Sequence, residues 1–251
     1  MTAPISVQLY TLRHEAERDF ADVLARLGKL GFAGVETAGL HDLSPTELRR
    51  CVADAGMVVS AAHVPLPTAE SAEQILDEQE EIGNRDLVVA FLPPERFADA
   101  AGVARVADEL NEALERVRAR GMGLGYHNHW WEFQHIEGET AHARLFRHLD
   151  PEVFAEVDTY WAQVGGVDPA KAVAELGARA RMLHLKDGPA EDPKAPMTAL
   201  GEGALDVPAI ALASRAEWHV VELDRCATDV FEAVEKSYCY LTGAGLARGR
   251  T

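Results

Sequence analysis

The stretch ISVQLYTLRHEAERD, Ile5 to Asp19, decides between the two architectures open to this chain. Its first five residues form a short run of strand type, and the ten that follow contain no glycine. A doubly wound open sheet usually carries a glycine-rich phosphate loop directly after its first strand, where the backbone must approach a pyrophosphate. That loop is missing here, which favours a closed (β/α)8 barrel.

Working outward, Phe20, Val23, Leu24, Leu27 and Leu30 recur at three- and four-residue steps and predict a helix that Gly31 ends. AGVETA (33–38) predicts a second strand. Ser44, Pro45 and Glu47 form a capping-box pattern at the start of another helix. MVVSAAH, DLVVAF, MGLGYHN, FAEVD, RMLHLKD and WHVVELD complete eight strand candidates. Between the fourth and fifth, Val103, Val106, Leu110, Leu114 and Val117 trace an amphipathic helix, and Val230, Val234, Tyr238 and Leu241 trace a terminal one. Eight strand-helix units in 251 residues suggest one TIM barrel domain over residues 1–251. The long loop from Asp187 to Gly203 is of a length that often serves function.

The chain has 24 basic and 41 acidic residues, a net charge of −17, which repels phosphate backbones and anionic membranes. Nucleic acid and membrane are therefore not expected as partners; a small-molecule substrate is, and a homo-oligomer is left open. No run approaches 18 apolar residues, and the first residues lack a basic region followed by an apolar one, so a cytoplasmic location is expected. Cys51, Cys226 and Cys239 have no close pairing and are expected as reduced structural thiols.

Barrel chemistry gathers where strands end, and these strand ends are polar: Glu36, His63, His127 to His129 with Glu132, Asp158, the HLKD segment from His184 to Asp187, and Glu222 with Asp224. The two-residue period places Met182, His184 and Lys186 on one face, and Val220, Glu222 and Asp224 on another. Several carboxylates converging with an imidazole suit one divalent cation, Mn2+, Mg2+, Co2+ or Zn2+.

These segments, VQLYTLR, GVETAGL, YHNHWWEF, EVDTYWAQVGGVDP, HLKDG, GEGALD and VVELD in this order, resemble the sugar phosphate isomerase/epimerase family of xylose-isomerase-like TIM barrels over nearly the whole chain. The resemblance implies a divalent metal held by Glu132, Asp158, His184 and Glu222. Relatives with a plain E-x-x-N ending carry the first of these at the strand tip, where this chain has His127, so His127 and His129 stand as alternatives to Glu132. It also implies a metal-dependent isomerase or epimerase of a sugar or keto-sugar, working through a metal-stabilised enediolate. Glu132 and Glu222 are the expected acid/base pair, and Lys186 is expected to polarise the carbonyl or hold the enolate oxygen. The alternative is a lyase or dehydratase acting on a 3-keto sugar, keto-glycoside or inosose at the same site.

His63, His127, His129 and Trp161 are the expected substrate contacts. Trp130 and Trp131 suit either a sugar-stacking wall or the core. His14, His41, His135, His142, His148 and His219 are expected to have surface or packing roles. A phosphodiesterase would need more histidines and a basic groove, which the charge balance opposes, and a non-catalytic barrel would show a replaced ligand.

Overall fold

The computed structural model describes residues 2–250. Eight parallel strands form a closed barrel: β1 (Ile5–Gln8), β2 (Gly34–Ala38), β3 (Val58–Val64), β4 (Asp86–Val89), β5 (Gly123–His127), β6 (Phe154–Asp158), β7 (Ala180–Leu185) and β8 (Trp218–Val221). Each pairs with its neighbours in chain order, and β8 closes on β1 with Ile5 opposite His219. The expected strands are all present, but several end early. Leu9 opens a 3-10 turn, and Lys186, Asp187, Glu222 and Asp224 lie beyond their strands, where departing backbone can aim side chains over the mouth.

Helices α1 (Arg13–Leu30), α2 (Pro45–Asp54), α3 (Ala72–Ile82) and α4 (Ala100–Ala119) join the first five strands. α5 (Ala141–His148), α6 (Thr159–Val164), α7 (Pro169–Leu176), α8 (Val207–Ala213) and α9 (Val230–Gly243) complete the outer ring. Helix α1 breaks at Asp19, which takes extended dihedrals and caps the second half by accepting from Asp22 N at 2.9 Å. That is why the apolar stripe begins at Phe20. Gly31 ends the helix in the left-handed region at φ 104°, open to glycine without steric cost. The capping box on α2 forms as its sequence predicts.

Inside the barrel, inward residues alternate along each strand and stack in layers. Ala61, Val88, Phe154 and Met182 pack as an apolar layer with Trp218. Phe154 needs the missing side chain of Gly125, because a Cβ there would lie 2.3 Å from its ring. Two positions beyond Ala61, Gly125, Phe154 and Met182 the interior becomes polar with His63, His127, Glu156 and His184, joined by Glu36 of β2. The register shifts at two places, beside Glu36 between β2 and β3 and beside Glu156 between β6 and β7. Such bulges re-aim side chains.

The loop after β7 is organised by Asp187, which is fully buried. Its carboxylate accepts from the backbone N–H groups of Gly188, Gly201, Gly203 and Leu205 at 2.8 to 3.1 Å. The GEG segment thus shapes the loop, and Gly203 must lack a Cβ, which would meet Asp187 Oδ1 at 2.1 Å. Asp187→Ala strands these donors and is expected to cost at least about 3 kcal/mol, since hydrogen bonds to a charged group are worth about 1.5–3 kcal/mol each. Urea titration with an unchanged midpoint would remove this role. All three cysteines are free, and among the described residues no helix is long and apolar enough to cross a membrane.

Candidate metal centre at the barrel mouth

Two overlapping groups of ligand-type side chains sit at the C-terminal end of the barrel. The outer comprises His127, Asp158, His184 and Glu222; the inner comprises His63, His127, Glu156 and His184. In each, the ligand atoms lie within 4.8 Å of one another. Three of the four expected metal ligands, Asp158, His184 and Glu222, are therefore together, and the β5 contribution is His127.

Glu132 stands apart from both groups. It is wholly buried in a short 3-10 turn after β5, where Oε1 accepts from the Tyr126 hydroxyl at 2.7 Å and Oε2 from His129 N at 2.9 Å. Burial pushes its carboxyl up to about 8, against the hydrogen bonds from Tyr126 and His129 that favour the charged form. The physical reason is reach: five residues beyond the strand tip, Glu132 folds back onto its own turn.

Each outer residue is held by its own element. Asp158 ends β6 and caps α6, accepting from Trp161 N through Oδ1 at 2.9 Å. Asn128 clamps its backbone from the next strand, donating to Asp158 O and accepting from Asp158 N, both at 3.1 Å. Asp158 Oδ2 is buried and lies 2.8 Å from Lys186 Nζ, its ion-pair partner. Burial raises this carboxyl to about 6.

Lys186, 1% exposed, places Nζ between Asp158, Glu222 and Asp224 at 2.6 to 2.8 Å. Burial alone would discharge it, but these carboxylates hold its pKa well above the usual lysine range. Burial would likewise raise Glu222, and Lys186 and His184 outweigh it, keeping Glu222 well below the usual carboxylate range. Glu222 Oε2 meets His184 Nδ1 at 2.7 Å. His184 would be discharged by burial, but Glu156, Glu36 and Glu222 hold it well above the ordinary histidine value.

The inner layer contains a side chain that reading the strand ends overlooks. Glu156 lies two residues before Asp158, on the same face of β6, and period-two alternation could have found it. Its Oε2 lies 2.7 Å from His63 Nε2 and 3.0 Å from His127 Nδ1. Burial would raise Glu156, but His184 and His63 outweigh it, leaving Glu156 ionised; Glu36 is pushed up to about 7 by burial and by the charge on Glu156. His63 is thus tied into this layer beneath the mouth. His127 is neutral, lowered to about 3 by burial.

Above the cluster stands an aromatic wall. His129 stacks on Trp131 at 4.3 Å, and Trp130 leans on Trp161 at 4.9 Å. His129 Nδ1 and the indole nitrogens of Trp131 and Trp161 are buried without partners. Gln8 donates to Glu36 inside the barrel, while the Arg13 guanidinium is occupied by the carbonyls of Tyr10 and Asp224. His142 and His219 are buried, His142 stacked between Phe133 and Phe146. A cavity of about 600 Å3 between α5 and α7 shares no lining residue with the cluster.

A family model described as a xylose isomerase-like TIM barrel matches residues 24–215. Among solved structures, a sugar phosphate isomerase/epimerase from Parabacteroides distasonis is similar at 26% identity and a TM-score of 0.84, covering 99% of this chain and 96% of the other. The probable 3-DHS dehydratase AsbF from Bacillus anthracis is 15% identical with a TM-score of 0.70, over 95% of this chain and 98% of its own. An L-ribulose 3-epimerase is 17% identical with a TM-score of 0.69, over 97% and 94%. These last two likenesses concern the fold. No curated protein sequence matches the chain.

Proposed function

The chain belongs to the xylose isomerase-like TIM barrel family, and from that premise we propose that it is a divalent-metal-dependent isomerase or epimerase of a sugar or keto sugar. The observation that carries this is the outer cluster. Two carboxylates and two imidazoles, all buried and with ligand atoms within 4.8 Å of one another, form a donor set that fits a Mn2+-type cation. His127, Asp158, His184 and Glu222 would hold it. The chemistry such a cation supplies is polarisation of a carbonyl and acidification of the neighbouring C–H.

Glu222, held ionised, would take a proton from that carbon, and Lys186 keeps a positive charge beside the oxygens at the mouth. His129 and Trp161 offer unpartnered ring nitrogens to hydroxyl groups.

The protein is expected to bind one Mn2+ per chain and, with it, to exchange deuterium from D2O into the carbon beside the carbonyl of its keto sugar. NMR of a panel of keto sugars reads this directly. Exchange with no loss of mass supports isomerisation; release of water or an aglycone replaces the proposal with the lyase alternative. Full turnover after exhaustive chelation removes the metal.

A further inference from the structure

Each of the two imidazoles shared by the clusters faces a different group through each nitrogen. His127 turns Nδ1 to Glu156 at 3.0 Å and Nε2 toward Asp158 Oδ2 at 3.7 Å. His184 turns Nε2 to Glu36 Oε2 at 2.6 Å, with Glu156 Oε2 at 3.1 Å, and Nδ1 to Glu222 at 2.7 Å. Glu36 in turn accepts from Gln8 Nε2 at 2.8 Å. The downward nitrogens all meet carboxylate oxygens, and the upward ones meet the mouth.

We infer that Glu156, with Glu36 and Gln8 beside it, forms a carboxylate floor that holds the inward N–H of His127 at Nδ1 and of His184 at Nε2, so that His127 Nε2, and His184 Nδ1 once it has given up its proton, would be presented to the cation. Glu156 and Glu36 are positioning residues and not ligands. A carboxylate accepting one imidazole N–H sets both the ring's tautomer and its plane, and raises the basicity of the free nitrogen. The two register shifts of the barrel fall beside these two glutamates, as expected if the backbone is adjusted to aim them inward. Both side chains are fully buried, and hydrogen bonds to ring or amide nitrogens are already made on one oxygen of each. The floor uses those bonds as they stand. Glu156 also occupies the strand next to β5, with His127 opposite it in register, so its carboxylate meets the His127 ring directly from β6.

This inference rests on the cation assignment above, and its test separates the two. In metal-free protein labelled with 15N, His127 is expected in the Nδ1–H form, its signals identified by their loss in His127→Asn. In Glu156→Gln the ring should become a mixture of tautomers, because a neutral amide attracts the proton less and its own NH2 opposes a ring N–H. Titration calorimetry with Mn2+ should show one ion in both proteins and an affinity roughly 10- to 100-fold weaker in the variant, with partial recovery in Glu156→Asp. If Glu156→Gln does not fold, Glu36→Gln, acting on His184, should weaken Mn2+ binding roughly 10-fold. An Nε2–H His127 in the wild type, or affinity unchanged in both variants, overturns the inference. So does a second Mn2+ that disappears in Glu156→Gln, which would make the floor a cation site. Wild-type protein that binds no Mn2+ overturns the cation assignment instead, and the tautomer spectrum still decides the floor.

Discussion

Glu222→Gln is expected to leave the barrel folded and to lower turnover by roughly 10²- to 10⁴-fold, the range spanned by removal of a positioned proton acceptor. The substitution is nearly isosteric, but it removes the charge that Lys186 Nζ and His184 Nδ1 both approach at 2.7 Å. One change therefore strikes two functions, proton removal and cation binding. Turnover and Mn2+ affinity should fall together, with far-ultraviolet circular dichroism unchanged. Normal turnover in the folded variant would place the base elsewhere. A loss of turnover with full Mn2+ affinity would keep Glu222 as base and remove it as ligand.

The second large effect is a contrast between two neighbours in one motif. Under the proposed ligand set, His127→Ala is expected to weaken Mn2+ binding by roughly 10-fold or more, because the β5 donor is lost. Glu132→Ala should leave that affinity nearly unchanged and act on stability instead. It strips the acceptors from the buried Tyr126 hydroxyl and from His129 N–H, at about 1–3 kcal/mol for each stranded group. Calorimetry and urea unfolding on both variants give a two-by-two outcome. The reverse pattern, with Glu132→Ala losing metal and His127→Ala keeping it, would return Glu132 to the centre and require its turn to rearrange when the cation binds.

The barrel was legible from the residues because its signals are local. Period-two runs, period-3.6 stripes, the Ser44 capping box and the left-handed Gly31 depend on backbone sterics and on side chains a few positions apart, so they survive reading along the chain. Asp158, His184 and Glu222 were legible for a related reason. Each lies at or just past a strand end, and in a parallel barrel every such end opens on the same mouth.

Tertiary structure alone decided the rest. Where Glu132 points turns on how a short 3-10 turn directs one carboxylate, and Tyr126, six positions earlier, captures it. Asn128 could be seen in its motif but not its task, since the backbone it clamps lies 30 residues away. Glu156 and Glu36 carry no sequence mark of shared duty: 120 positions apart, they are brought onto His184 only by closure of the cylinder. Spacing along a chain encodes direction within one element, whereas the convergence of several elements on one buried point depends on barrel closure and strand stagger, and on the two register shifts that no local pattern records.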